Sequence, residues 1–263
     1  MRTLLLLAAA IGSFAAESSP ALGPKEGAEA LDAVSILVQR QPTSGDGKPG
    51  IFRMQGGVQG AYTALRDADD VLDGSADVFL PIVDGRMAIR FAVPFFRYEV
   101  GEHTDLGFGD LGIRWDWVPA IAGPNALLVE VDTTWDTASR DRLGYGTHTI
   151  APAVAYAIPL GKGLSVMPAV DHRFNWGGDD DRADISLTRF HAYGTWAGDG
   201  RFWVQADLAM DVDHESDDSW TSLDVLGGMR VGKAMSAWVR PGFALGDERP
   251  YDVRVSGGVD IGF

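Results

Sequence analysis

The chain has 263 residues, 46% of them hydrophobic, with no cysteine and a formal net charge of −15. The missing cysteine excludes a disulfide framework, a lipoprotein anchor and a thiolate metal site or nucleophile, and the acidic balance runs against nucleic acid, which selects basic surfaces. Beyond the first residues no apolar stretch approaches the roughly 20 residues of a membrane helix, so any membrane insertion has to be by a barrel of strands.

In chain order, Met1-Arg2 supplies a minimal positive region, Leu4 to Ile11 an apolar core, and Ser13-Phe14-Ala15 a small-x-small cleavage site. Residues 1–15 therefore read as a signal peptide cleaved after Ala15, and the chain as exported. Residues 16–49 carry Pro20, Pro24, Pro42 and Pro49 among scattered Gly and Ser, as a flexible periplasmic lead or a partial plug does; Glu26 to Arg40 suits a short helix or a small strand equally. Residues 50–263 divide into about twelve segments of roughly nine to thirteen residues, the length a tilted strand needs to cross a bilayer. The expected fold is all-β, an antiparallel up-and-down transmembrane barrel.

Connections alternate in kind. Short ones fall at Asp84-Gly85, Gly161-Lys162-Gly163, Ala197 to Gly200 and Gly232-Lys233, with a longer one at Pro119 to Asn125; polar, mostly acidic ones fall at Ala64 to Ser75, Gly101 to Gly109, Ala138 to Thr147, Gly177 to Asp184, Asp213 to Ser219 and Gly246 to Pro250. Short turns on one side and longer loops on the other are the outer-membrane arrangement. Within segments, apolar residues alternate with polar ones, as in Met87, Ile89, Phe91, Val93 and Phe95, or in Leu223, Val225, Gly227, Met229 and Val231. The complementary rows place Arg90, Arg114, Asp116, Glu130, Asp132, Asp171, Arg173, Gln205, Asp207, Asp224, Arg230, Arg240, Arg254 and Asp260 inward as lumen residues. Tryptophans form two expected girdles: Trp117, Trp196 and Trp203 by the short turns, Trp135, Trp176 and Trp220 by the loops.

The final run, Tyr251 to Phe263, alternates without a miss between an apolar row (Tyr251, Val253, Val255, Gly257, Val259, Ile261, Phe263) and a polar or small one. It resembles the closing strand of bacterial outer-membrane barrels, which implies that Phe263 is part of the signal read by the barrel-assembly machinery. A second resemblance lies in Gly107-Phe108-Gly109-Asp110-Leu111-Gly112-Ile113-Arg114-Trp115. This Gly-x-Gly-Asp-Leu run with its alternation is similar to a segment of the outer-membrane barrels named for the phenol-degradation (MetA) pathway. That likeness implies passage of small organic compounds across the outer membrane; Arg114, Trp115 and Trp117 stand where the family has a lysine and a tyrosine. Physically, the glycines turn the chain out of a loop and Asp110 caps that turn.

A lumen bearing both arginines and carboxylates supports two readings. Charges segregated to opposite walls orient solutes in a pore; charges paired with one another knit a closed plug. The reading favoured is a passive channel for small solutes, set in outer-membrane lipid and lipopolysaccharide, with a closed structural barrel as the alternative. A lipid-modifying enzyme would need a hydroxyl, a histidine and an orienting polar group at the rim; His172, outward beside Ser186 and Thr188, is the candidate for that chemistry. His103, His148, His191 and His214 show no metal-ligand spacing, the acidic runs lack calcium-loop spacing, and no cofactor, metal or catalytic residue is expected.

Overall fold

The computed structural model describes residues 52, 54–65, 70–82, 86–100, 106–140, 144, 146–178, 182, 184–197, 201–232 and 234–263. The expected signal peptide, the lead at 16–49, and the turns at Asp84-Gly85 and Gly198 to Gly200 lie outside the described residues. Along the rest run β1 (Gln55–Leu65), β2 (Asp70–Ile82), β3 (Met87–Val100), β4 (Leu106–Gly107), β5 (Leu111–Ala122), β6 (Asn125–Trp135), β7 (Thr147–Gly161), β8 (Leu164–Gly178), β9 (Ser186–Ala197), β10 (Phe202–Asp213), β11 (Ser219–Val231), β12 (Met235–Leu245) and β13 (Tyr251–Gly262). All but the two-residue β4 are long enough to span a bilayer. Each long strand pairs antiparallel with its chain neighbour, and β13 returns to pair with β1 from Gln55↔Gly262 to Leu65↔Tyr251. The result is a closed twelve-stranded barrel, as the alternation predicts. Closure pairs the first strand with the last, so most backbone groups at membrane depth are satisfied strand to strand among the described residues.

Polarity is reversed relative to a water-soluble protein. Val58, Phe91, Trp115, Leu208, Val239 and Val259 stand exposed on the outer surface, whereas Asp116, Asp207, Asp211 and Asp224 are buried inside. Such a surface is unfavourable in water and matched to lipid. The Gly161-Lys162-Gly163 turn shows how tightly the short connections are made: all three residues have positive φ, at 85°, 54° and 74°. A Cβ on Gly163 would fall 2.1 Å from the Ala197 carbonyl oxygen, so the turn demands glycine there.

Several sequence expectations are corrected. The loop expected over Ala64 to Ser75 is mostly strand, because β1 continues to Leu65 and β2 resumes at Asp70. The turn expected over Pro119 to Asn125 contracts to Gly123-Pro124, with β5 carrying Pro119 at a register irregularity between Trp117 and Ala120; a strand residue without an N–H is tolerated where the ladder is already interrupted. β8 likewise runs through Gly177 to Gly178. Of the expected girdle tryptophans, Trp117, Trp176 and Trp196 are exposed outside and Trp135 meets Trp176 edge-on with ring centroids 5.5 Å apart. Trp203 is instead 1% exposed within a core cluster, and Trp220 lines the interior cavity. Strand parity decides both: Trp203 shares its face with Asp207, and Trp220 shares its face with Ser222 and Asp224.

Tyr251, placed in the apolar outer row by alternation, also lines the interior cavity. The ladder between β1 and β13 shifts register between Ala64 and Leu65, so Val253 pairs with Ala64 and Tyr251 with Leu65, leaving Asp252 as the extra residue. A bulge of this kind re-aims the side chains beyond it. The Arg254 guanidinium lies 5.5 Å from the centroid of the Tyr251 ring.

Candidate functional site in the barrel lumen

The inner faces of β3 and β5 to β13 enclose a cavity of about 370 Å³. Of the expected lumen residues, Arg90, Arg114, Glu130, Asp132, Asp171, Arg173, Gln205, Asp207, Asp224, Arg240 and Arg254 line it. Asp116, Arg230 and Asp260 are not among its lining residues: Asp116 and Asp260 are buried, while Arg230 is half-buried close to the short-turn end of β11. The alternation therefore brings most of the expected set to one space.

Charges in this space are paired within a strand or across one or two strands rather than sorted to opposite walls. Arg90 holds Asp77 through both Nε and Nη2, at 3.1 and 3.0 Å. Arg114 bridges Asp116 at 3.0 Å and Glu130 at 2.7 Å. Asp224 receives Arg240 at 3.2 Å and Arg254 at 3.5 Å, and Arg240 also reaches Asp207 at 3.5 Å. Fork-shaped guanidinium groups suit this bridging, since each presents five donors to several carboxylates. The cation of each bridge sits within about two strands of its acids, so the lumen is a weave of alternating sign.

β9 contributes a set that sequence reading missed. Arg189 pairs with Asp211. His191, read from the sequence as an isolated histidine, places Nδ1 2.9 Å from Asp207 and Nε2 3.2 Å from Asp171, and stacks on Tyr193 at 4.9 Å between centroids. A carboxylate on each side accepts from both ring nitrogens when each carries a proton. The signal available was parity: Arg189, His191 and Tyr193 alternate with exposed Phe190 and Trp196, a row the isolated spacing of histidines conceals.

Toward the short-turn ends the inner face becomes apolar. Phe52 and Phe79 meet edge-on at 5.5 Å and pack with Ala88, Val118, Ala126, Leu128, Ala157 and Met167. On the facing wall Trp203 pairs in register with Gly228, Gly228 with Trp238, and Trp238 with Gly258. Each indole occupies the space a Cβ would take: a Cβ on Gly228 would lie 2.1 Å from the Trp203 ring, one on Gly258 2.8 Å from the Trp238 ring.

Outside the barrel, His172 Nδ1 lies 2.9 Å from Thr188 Oγ1, which lies 2.8 Å from His214 Nε2. Among the described residues neither imidazole contacts a carboxylate or amide side chain. The orienting partner that a nucleophile–base pair needs is therefore not part of this cluster.

No protein-family model matches the sequence, and comparison with curated proteins gives no match. Solved structures do resemble it. The COG4313 outer membrane channel from Pseudomonas putida F1 aligns over 85% of this chain and 100% of its own at a TM-score of 0.66 and 15% identity. The NanC porin aligns over 79% and 98% at 0.57 and 10% identity, and the KdgM porin, solved with disordered oligogalacturonate, over 79% and 99% at 0.55 and 8% identity. What the chain shares with these proteins is its fold.

Proposed function

We propose that this chain is an outer-membrane channel for the passive passage of small solutes, small organic and aromatic compounds among them. One observation carries the reading: a polar, charge-lined cavity of about 370 Å³ inside a closed barrel whose outer surface is apolar. Likeness of fold to channels and porins supports it. The Gly107 to Trp115 run, which forms the end of β4 and the start of β5, supports kinship with the barrels named for the MetA pathway. In this reading the long connections face outward from the cell and the short turns the periplasm. Residues 1–15 are read as the signal peptide, and 16–49 as a periplasmic lead or a partial plug. Arg90, Arg114, Glu130, Asp132, Asp171, Arg173, Asp207, Asp224, Arg240 and Arg254 line the solute path, with Asp116, Arg230 and Asp260 supporting it. The exposed ring of Phe263, beside the outward face of β1, is the part offered to the assembly machinery.

Single-channel recording of the purified, refolded protein in planar bilayers tests the reading. Discrete conductance steps are expected. A closed structural barrel is the second reading, favoured by the cross-strand ion pairs and by the Phe52 cluster; it predicts a folded, heat-modifiable protein that stays silent at every voltage, and that outcome overturns the channel.

A further inference from the structure

Of the charged side chains that line the cavity, all but two are held by a neighbour of opposite sign. The two are Asp132 on β6 and Arg173 on β8: among the described residues neither side chain closes a hydrogen bond or an ion pair. Their obvious partners are engaged elsewhere. Asp132 stands directly opposite Arg114 in the β5–β6 ladder, yet the Arg114 guanidinium turns to Asp116 and Glu130. On β8 the next inward acid from Arg173 is Asp171, which is taken by His191, and across on β9 Arg173 meets Leu187.

Between the two lies β7, which presents only Ala151, Ala153 and Ala155 to the cavity. Asp132 pairs in register with Ala151, and the pairs Ile150↔Phe174 and Ala153↔Asp171 put Arg173 opposite Ala151 from the other side. An open carboxylate and an open guanidinium therefore flank one methyl-floored gap, about 10 Å apart at Cα for two strand spacings. Both are half-buried, so each carries a desolvation cost that a partner would relieve. A single ion relieves one of them and leaves the other. A solute bearing both signs relieves both, and brings no net charge into the lumen.

We infer that Asp132, Ala151 and Arg173 form a subsite for a small zwitterion of the α-amino-acid class. Its ammonium donates to the Asp132 carboxylate, and its carboxylate accepts from the forked Arg173 guanidinium. The alanine floor leaves room for a short side chain, and a cavity of about 370 Å³ is of small-molecule size. The inference rests on the channel reading for its use and adds a solute class to it. Asp132 and Arg173 lie near the loop-side ends of β6 and β8, where a solute entering from the loops first meets the inner wall.

Ligand-observed saturation-transfer NMR of the purified, refolded protein in detergent micelles tests the subsite separately from conduction. The probes are L-alanine, its neutral analogue lactamide, the anion lactate and the cation isopropylamine. Saturable transfer is expected to L-alanine and not to lactamide. Asp132→Asn should weaken L-alanine about tenfold, the ratio for one charge-assisted hydrogen bond, and reverse the preference toward lactate. Arg173→Gln should reverse it toward isopropylamine, and Arg173→Lys should retain L-alanine. Loosening the barrel does not exchange one preference for another, and heat-modifiability monitors the fold of each variant. Equal transfer to L-alanine and lactamide in the parent, or L-alanine binding that survives both single substitutions, overturns the subsite. Planar-bilayer recording of the same preparation keeps the two readings apart. A protein that conducts without discriminating the zwitterion loses the subsite and stays a channel; one that binds L-alanine with these preferences yet is silent at every voltage keeps the subsite and is not a channel.

Discussion

The loop-side and turn-side halves of the lumen solve the same problem with opposite chemistry. Both line the interior of a twelve-stranded barrel, a size between the filled eight-stranded case and the open channel of sixteen strands or more. The loop-side half does it with bridged ions, Arg114 to Asp116 and Glu130, and Asp224 to Arg240 and Arg254; the turn-side half does it with packed rings and small apolar residues around Phe52, Phe79, Trp203 and Trp238. Ion pairs accommodate water and passing polar groups, whereas close-packed rings do not. On the channel reading, the difference teaches that resistance to passage concentrates at the turn side, and selectivity at the loop side.

The largest expected effect comes from unpairing the ionic half. Asp224→Ala takes the bridging acid from Arg254 and leaves Arg240 with Asp207 alone, and a loss of about 4 kcal/mol is expected in urea folding titrations into lipid vesicles; a loss below the surface-pair range would mean that water, rather than Asp224, carries the charge balance. Phe52→Ala attacks the apolar half. It should cost about 3 kcal/mol of packing and, because the residue seals the turn side, raise single-channel conductance; unchanged conductance would place the resistance in the ionic half. Gly228→Ala sets a methyl against the Trp203 ring and should cost about 2 kcal/mol, with the buried indole showing altered near-ultraviolet circular dichroism. The sharpest effect on selectivity belongs to Arg240→Glu, which removes the cation bridging Asp207 and Asp224 and adds a carboxylate beside them. Reversal potential under a salt gradient should move toward cations, and an anion-directed shift would contradict the placement of Arg240 in the solute path.

The barrel was legible because one period rules it. Strands with one face to lipid and one to a lumen must alternate, so Arg240, Pro241, Gly242 and Phe243 declare their faces without any tertiary knowledge. Two kinds of feature escaped. One is bulges: the single extra residue at Asp252 turns Tyr251 from lipid to lumen, and nothing in an unbroken alternation marks it. The other is partnership. Arg114 pairs with Glu130 and Arg90 with Asp77 through registers fixed by strand stagger, which periodicity leaves free. His191 was hidden for the same reason, since its two carboxylates come from β8 and β10.

The facing of the tryptophans makes the protein its own optical probe. Trp115, Trp117, Trp135, Trp176 and Trp196 look toward the acyl chains, while Trp203, Trp220 and Trp238 look inward. Brominated lipids therefore divide the eight indoles of the chain into a quenched and an unquenched spectroscopic class. During refolding into vesicles, bromine quenching reports when the outer wall meets lipid. The emission of Trp203 and Trp238 reports a later event, the seating of each indole over its glycine once β10 to β13 are in register. The interval between the two signals measures how long an inserted barrel stays unsealed.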